Sequence, residues 1–274
     1  MTNYKIIASD LDGTLLNGRL QVSEENWNAI RRMSEMGILV VPSSGRTLYE
    51  IPKEILESPL MRYIIHSDGA AIYDKETGES IRFALSREKS AKLMEIVSEY
   101  DVDVSVRNGG HSYTDAKKHT EEYHYAHRMD KTWVDFSFEF HETVEEFEEF
   151  CRTIDGIDMA CVFFRDSAEQ EECCGRVAKM NGVAICSSDP ANLEFHDIRA
   201  GKGNALLCLA ERLGIDPADT VAVGDSPNDL DMIQKAALGL AVENACEELR
   251  SATDEIVCSN EEHVMDYILN KYFL

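Results

Sequence analysis

The chain has 274 residues, of which 27 are basic and 51 acidic, so its formal net charge is −24. Hydrophobic residues make up 44% and charged residues 28%, which is a globular composition and excludes a disordered chain. So large a negative charge repels phosphate backbones and anionic lipid, which disfavours nucleic-acid binding and membrane-surface binding.

The N-terminus and the cysteines indicate a compartment. No apolar run approaches the ~18 residues that a membrane span needs, and Asp10 comes before the apolar core of a signal peptide could form. The eight cysteines contain no CxxC pair, and several, such as Cys161 and Cys208, lie in apolar stretches. Cysteines of this kind are typical of reduced core residues. We therefore expect a cytoplasmic protein.

Short apolar runs alternate with helical patterns near both ends of the chain. Runs with the length and β-branched content of buried parallel strands are Tyr4–Ser9, Ile38–Pro42, Tyr63–His66, Thr220–Val223, Leu238–Val242 and Glu255–Cys258. A first helix is predicted after the cap residue Ser23, and it ends at Gly37. A second helix is predicted from Asn204 to Leu213. Strands that alternate with helices predict an α/β fold with a doubly wound parallel sheet.

The middle of the chain breaks this alternation. Two strands are predicted at Val102–Val106 and Ser112–Asp115, joined by a turn at Arg107–His111. A helix is predicted at Thr143–Ile154. We interpret residues 83–190 as a second α/β domain inserted into a core domain of residues 1–82 and 191–274.

Histidines and aromatic residues concentrate in this insert. The histidines do not have the spacing of a zinc site, and we interpret them as surface residues, or as residues that face a substrate when the insert closes. They are His111, His119, His124 and His127. The aromatic residues Tyr113, Tyr123, Tyr125 and Trp133 are predicted to form the core of the insert, and one or two of them could line a leaving-group pocket.

Polar residues follow three of the predicted strands. The segments are DLDGTL at 10–15, SSGR at 43–46 and GDSPNDLDM at 224–232. Ligands of an open α/β sheet bind beyond the carboxyl ends of its strands, and neighbouring strands lie ~4.8 Å apart. If these three strands are neighbours, their polar side chains share one pocket.

The residues of that pocket favour phosphate chemistry. Clustered carboxylates need a cation to offset their repulsion, and oxygen ligands without His or Cys suit Mg²⁺. Phosphate oxygens could be held by Ser44, the Gly45 amide and Lys202, which has a glycine on each side and precedes a predicted helix. The pattern predicts phosphoryl transfer to a carboxylate. From the residues alone, either Asp10 or Asp225 could be the nucleophile.

Four ordered segments carry a family resemblance. DLDGTL at 10–15, SSGR at 43–46, GKGNAL at 201–206 and GDSPNDLDM at 224–232 resemble the motifs of the haloacid dehalogenase-like (HAD) hydrolase superfamily. The insert resembles the α/β cap domain of the Cof-type branch. The resemblance implies a Rossmann-like core and a Mg²⁺-dependent phosphatase. Its substrate would be a small phosphorylated metabolite, such as a sugar phosphate or a phosphorylated cofactor, and the cap would select the leaving group.

The resemblance also implies a role for each motif residue. Asp10 would be the nucleophile that becomes an aspartyl phosphate, and Asp12 would protonate the leaving alkoxide and later deprotonate water. The side chains of Asp10 and Asp225 and the backbone carbonyl of Asp12 would hold Mg²⁺. Asp229 would orient the metal shell or Lys202. The residues that would contact the transferred phosphate are Ser44, Gly45, Lys202 and Asn228.

This chain departs from the family pattern at two positions. Ser44 stands where Thr is frequent, and it keeps the hydroxyl donor. Asp68, in Ser67-Asp68-Gly69-Ala70, stands where the family segment is usually Asn-Gly-Ala, so an amide donor is missing from that loop.

Two other functions are compatible with parts of the pattern. Some capped relatives are sugar phosphomutases, which return the phosphoryl group to another hydroxyl, and nothing in the four motifs excludes this reaction. A phosphometabolite-binding protein without catalysis would be expected to lack Asp10, Asp12 or Lys202, and all three are present.

Overall fold

The computed structural model describes residues 4–274, which form two compact units, and the first three residues of the predicted core lie outside this range. Unit 1 comprises residues 4–45, 51–81 and 201–274, and unit 2 comprises residues 46–50 and 82–200. No helix within residues 4–274 is both long and apolar enough to span a bilayer.

The strands and helices of the structure are short. The strands are β1 Ile6–Ser9, β2 Leu39–Pro42, β3 Tyr63–His66, β4 Ala71–Asp74, β5 Glu79–Arg82, β6 Val102–Asn108, β7 His111–Asp115, β8 His141–Val144, β9 Met159–Phe164, β10 Val183–Cys186, β11 Asn192–Asp197, β12 Thr220–Gly224, β13 Leu238–Ala241 and β14 Glu255–Ile256. The helices are α1 Glu24–Glu35, α2 Lys53–Leu56, α3 Arg87–Val97, α4 Glu121–Ala126, α5 Lys131–Phe140, α6 Phe147–Thr153, α7 Ser167–Val177, α8 Lys202–Arg212, α9 Leu230–Lys235, α10 Glu247–Ala252 and α11 Val264–Tyr272.

Unit 1 is built on a five-stranded parallel sheet in the order β14-β13-β12-β1-β2. The central strands are buried on both faces, which explains their continuous runs of Ile, Val and Ala. Ser9 at the end of β1 lies opposite Val223 of β12, and the Asp10 amide donates to the Val223 carbonyl at 3.0 Å. The segments that follow β1 and β12 therefore begin at the same edge of the sheet.

The predicted strand Tyr63–His66 forms β3, but it does not extend the parallel sheet. It pairs antiparallel with β4 in a three-stranded sheet of order β3-β4-β5, because the chain reverses direction in the short turn Ser67–Gly69. A single parallel bridge joins Ile65 to Ser43 beyond the end of β2.

The two helices predicted in unit 1 are present. In α1, the Ser23 hydroxyl accepts from the Asn26 amide at 3.2 Å, which satisfies one of the free amides of the first turn. Helix α8 begins at Lys202, two residues before the predicted start. This places Lys202 inside the first turn of the helix.

Unit 2 contains a six-stranded sheet in the order β10-β11-β9-β6-β7-β8. Side chains alternate between the two faces of each strand. On one face, Val162 and Phe164 join the apolar cluster formed with α3, α6 and α7. On the other face, Cys161 and Phe163 contact Val134 of α5 and its neighbours.

Unit 2 differs from the sequence prediction in one helix and in its bounds. The predicted helix Thr143–Ile154 is divided, because Thr143 and Val144 are β-branched residues that pair with β7 in strand β8, and only α6 is helical. Residues 191–200, predicted as part of the core domain, lie in unit 2, since β11 pairs with both β9 and β10. Residues 46–50 and 82, also predicted in the core domain, belong to unit 2 as well.

The histidines of unit 2 are less exposed than the sequence predicts. His124 and His127 are buried, each with 1% exposure. The ring of His124 contacts the buried carboxylate of Asp103, and His127 Nε2 lies 3.1 Å from an Asp101 oxygen. These two rings can be buried because each has a carboxylate partner. Asp103 lies in β6, and Asp101 is the residue before β6. The interpretation as surface residues is wrong for these two.

Candidate active site

A buried lysine joins two of the motif segments. Lys202 Nζ donates to Asp10 Oδ1 at 2.7 Å and to Asp229 Oδ1 at 2.6 Å. The side chains of Lys202 and Asp229 are fully buried and that of Asp10 nearly so. Asp10 follows β1, Lys202 opens α8, and Asp229 follows β12 in the 224–232 segment. Residues distant in the sequence therefore meet around one ammonium group.

The loop after β12 is fixed by its own hydrogen bonds. Asp229 Oδ2 accepts from the amides of Asp225 and Ser226 at 3.0 and 3.1 Å. The hydroxyl of Thr14 donates to Asp225 Oδ1 at 3.0 Å, which connects the loop to the segment after β1. Asp229 thus accepts hydrogen bonds from the loop amides through Oδ2 and from the Lys202 ammonium through Oδ1. These bonds fix the positions of both Asp225 and Lys202.

The charged groups at this site shift one another's pKa values. Burial, together with the carboxylates of Asp229, Asp225 and Asp12, raises the pKa of Asp10 well above its usual range, and Lys202 opposes this change. Burial and Asp229 raise the pKa of Asp225 from 3.8 to about 6, opposed by the Thr14 hydrogen bond and by Lys202. Burial lowers the pKa of Lys202, but the carboxylates of Asp10 and Asp229 outweigh this effect and raise the pKa well above its usual range.

This donor set fits a divalent cation. Asp10, Asp225 and Asp229 each offer a carboxylate oxygen, and these oxygens lie within 4.8 Å of one another. Three carboxylates against one ammonium leave an excess of negative charge, which adds to burial in raising the pKa values of Asp10 and Asp225. A divalent cation offsets that excess, and an all-oxygen donor set is the kind that Mg²⁺ prefers.

Three of the four predicted phosphate contacts, Ser44, Gly45 and Asn228, lie next to Asp68. Ser44 is buried, and its carbonyl accepts from the Asp68 amide at 3.1 Å. Asn228 Nδ2 donates to Asp68 Oδ1 at 3.0 Å, and Asn228 Oδ1 accepts from the Ser226 hydroxyl at 2.6 Å. Gly45 follows Ser44 beside the same carboxylate. Asp12 lies half-buried in the turn after β1 and forms an isolated bridge with Leu16.

Sequence reasoning missed three contributors to the site. Thr14 lies inside the first motif, yet its partner Asp225 is 211 residues away. Asp231 lies inside the last motif, and its Oδ1 accepts from the Gly203 amide at 2.7 Å, which ties α9 to the first turn of α8. Asp68 was visible as a departure from the family segment, but its bond to Asn228 was not. The motif positions of Thr14 and Asp231 were the only signal in the sequence, because both contacts depend on strand order.

Comparisons with known proteins identify the family of this chain. A family model described as haloacid dehalogenase-like hydrolase matches residues 7–269. The chain is 28% identical to the phosphatase YwpJ of Bacillus subtilis (strain 168), over 97% of this chain and 98% of that protein. It is 32% identical to the 5-amino-6-(5-phospho-D-ribitylamino)uracil phosphatase YcsE of the same organism, over 95% of this chain and 92% of that protein.

Solved structures show the same fold. A haloacid dehalogenase-like hydrolase from B. subtilis has a TM-score of 0.80 and 29% identity, covering 98% of this chain and 100% of that one. The predicted α/β class and the predicted family resemblance are confirmed. The chain belongs to the Cof-type branch of the haloacid dehalogenase-like hydrolase family and is a phosphoric monoester hydrolase.

Proposed function

We propose that this protein is a Mg²⁺-dependent phosphatase that hydrolyses a small phosphomonoester through an aspartyl phosphate on Asp10. The observation that carries the proposal is the buried ammonium of Lys202, 2.7 Å from Asp10 and 2.6 Å from Asp229. An ammonium in this position stabilises the ionised, nucleophilic form of a carboxylate that burial alone would keep protonated.

The proposed reaction has two displacements at phosphorus. The Asp10 carboxylate attacks phosphorus, the bond to the leaving oxygen breaks, and Asp12 gives that oxygen a proton. Asp12 then accepts a proton from water, and the resulting hydroxide attacks phosphorus and releases phosphate from Asp10. Asp12 suits this role because it is more exposed than Asp10 and only two residues away.

The metal would be held by the side chains of Asp10 and Asp225 and by the Asp12 carbonyl. When bound, Mg²⁺ would offset the negative charge of the transferred phosphoryl group. Of the two roles that the family resemblance implies for Asp229, its direct hydrogen bond to Lys202 supports orientation of the lysine. Ser44, Gly45, Lys202 and Asn228 are proposed to contact the phosphate.

The substrate is proposed to be a small phosphorylated metabolite. The relative YcsE is named for a phosphorylated ribitylaminouracil, which combines a polyol phosphate with a heterocycle. This supports either a sugar phosphate or a phosphorylated cofactor for this chain. We propose that unit 2 is the cap that selects between these two kinds of substrate. We also propose a cytoplasmic location, since none of the eight cysteines forms a disulfide among residues 4–274.

Turnover of phosphomonoesters by Asp10→Asn tests the proposal. The wild type is expected to release phosphate from a chromogenic ester and from members of a metabolite panel, and to lose this activity in EDTA until Mg²⁺ is added. Asp10→Asn is expected to reduce turnover by at least about 10³-fold, since the variant has no nucleophile. The matched control is Asp216→Asn, a substitution away from the site. The Ala218 amide donates to Asp216 Oδ1 at 2.9 Å, and an Asn side chain can accept the same hydrogen bond.

Three results would contradict the proposal. Undiminished turnover by Asp10→Asn would remove Asp10 as nucleophile. Full activity in EDTA would remove the metal. Conversion of a hexose 1-phosphate into another hexose phosphate, without release of free phosphate, would identify a phosphomutase.

A further inference from the structure

The turn after β3 carries a carboxylate that the reaction scheme above does not use. Ser67 and Asp68 have φ angles of 51° and 50°, in the left-handed region that few residues other than glycine adopt. Asp is one of the few side chains that tolerate this conformation. The Asp68 side chain is 3% exposed.

Three loops of unit 1 hold Asp68 in place. Its amide donates to the Ser44 carbonyl at 3.1 Å, and its carbonyl accepts from the Gly201 amide at 3.0 Å. Its Oδ1 accepts from Asn228 Nδ2 at 3.0 Å. These are the loops that bear the proposed phosphate contacts Ser44, Lys202 and Asn228, so Asp68 lies where the three loops meet.

The second oxygen of this carboxylate, Oδ2, accepts no hydrogen bond from the part of the chain that the structure describes. Within residues 4–274, no group donates a hydrogen bond to Asp68 Oδ2, although the atom is buried. A buried carboxylate oxygen without a donor is costly, and such groups are rare in native structures unless a ligand or water completes them. Gly45 packs directly against this carboxylate, since a β-carbon there would lie 3.2 Å from Oδ1 and 3.3 Å from Oδ2.

We propose that Asp68 is a specificity-determining residue whose Oδ2 accepts a hydrogen bond from a hydroxyl group of the substrate's leaving group. The inference rests on the proposed phosphatase function. The donor belongs to the leaving group because a carboxylate oxygen repels the oxygens of the phosphate itself. A hydroxyl suits the site better than an ammonium, since an ammonium needs three acceptors and Oδ2 is a single one. The substrate class is therefore a phosphomonoester whose leaving group carries a hydroxyl close to the ester oxygen.

The test compares two esters that differ in hydroxyl groups, glycerol 1-phosphate and n-propyl phosphate. For the wild type, kcat/KM is expected to be at least about tenfold higher with glycerol 1-phosphate, since a hydrogen bond to a charged group has this magnitude. Asp68→Ala is expected to bring the ratio of the two kcat/KM values close to one. Asp68→Asn keeps a polar group and is expected to give an intermediate ratio. Asp216→Asn is the control and is expected to keep the wild-type ratio.

The ratio separates recognition from a structural role. If Asp68 only stabilises the loop, Asp68→Ala lowers both kcat/KM values in proportion, and the unchanged ratio overturns the inference. A wild-type ratio near one overturns it as well, while the phosphatase function stands.

Calorimetry on the Asp10→Asn protein keeps the inference testable without turnover. Tighter binding of glycerol 1-phosphate than of n-propyl phosphate, with the difference removed by Asp68→Ala, supports the role of Asp68 even if the wild type hydrolyses neither ester. Equal binding of the two esters, or binding of neither, overturns it.

Discussion

Lys202 is a buried cation held between two carboxylates. Its ammonium is fully buried and bonded to both Asp10 and Asp229. If one partner of such a buried ion pair is removed, the other remains as an uncompensated charge in a medium of low dielectric constant.

Replacement of this lysine is therefore expected to destabilise the fold. Lys202→Met should lower the free energy of unfolding by about 3–5 kcal/mol, measured by urea denaturation in EDTA. The double variant Lys202→Met/Asp229→Asn should regain part of this loss, because the second substitution removes one buried charge and its amide oxygen can still accept from the loop amides. A Lys202→Met protein as stable as the wild type would contradict the ion-pair assignment.

The raised pKa of Asp225 predicts a pH dependence of stability. The folded protein binds the Asp225 proton more tightly than the unfolded chain does, because the pKa rises from 3.8 to about 6 on folding. Its contribution to stability is therefore fully present below about pH 4 and is lost as the pH rises through 6.

The metal-free wild type should thus lose stability relative to Asp225→Asn between about pH 4 and pH 6, as measured by thermal unfolding in EDTA. Mg²⁺ should stabilise the wild type more at about pH 7 than at about pH 5, because the cation competes with the proton. A difference between the two proteins that is constant with pH would contradict the assignment.

At the scale of elements, the contact between α8 and α9 determines where Lys202 lies. The Gly203 amide donates to Asp231 Oδ1, and a β-carbon at Gly203 would come within 2.5 Å of the Asp231 carbonyl oxygen. Only glycine allows the two backbones to approach this closely.

Two glycine-to-alanine substitutions in helices should therefore have opposite effects. Gly203→Ala should destabilise the protein by about 1–3 kcal/mol and lower turnover, since it displaces the turn that carries Lys202. Gly175→Ala, in α7, should stabilise by about 0.5–1 kcal/mol, because the added carbon meets no atom within 4 Å beyond its chain neighbours and the backbone of its own helix. Equal effects in urea denaturation would show that the α8–α9 contact does not constrain Gly203.

The strands were predictable from the sequence where both of their faces are buried. The strands β1, β2, β12 and β13 read as unbroken apolar runs because helices cover both faces of their sheet. The cap at Ser23 was equally predictable, since its hydrogen bond is local. Strand β8 was not, because Thr143 and Val144 continue the apolar spacing of α6 and only pairing with β7 makes them a strand.

At the scale of the whole molecule, the sequence contains the site residues but not their arrangement. The motif segments after β1, β2 and β12 were recognisable, and the sheet order β12-β1-β2 makes them neighbours. Hydrophobic periodicity does not encode strand order, so the contacts of Thr14 with Asp225 and of Asp68 with Asn228 could not be predicted. The burial of His124 could not be predicted either, since its partner Asp103 is 21 residues away on another element.

The most direct measurement is to locate the phosphorylated residue during turnover. The Mg²⁺-loaded enzyme is mixed with a phosphomonoester that it hydrolyses, quenched and reduced with borohydride, which converts an aspartyl phosphate into homoserine. Peptide mass spectrometry is expected to find homoserine at position 10, and none at Asp12 or Asp225. Turnover that proceeds while position 10 remains aspartate, or homoserine at position 225, would contradict the account.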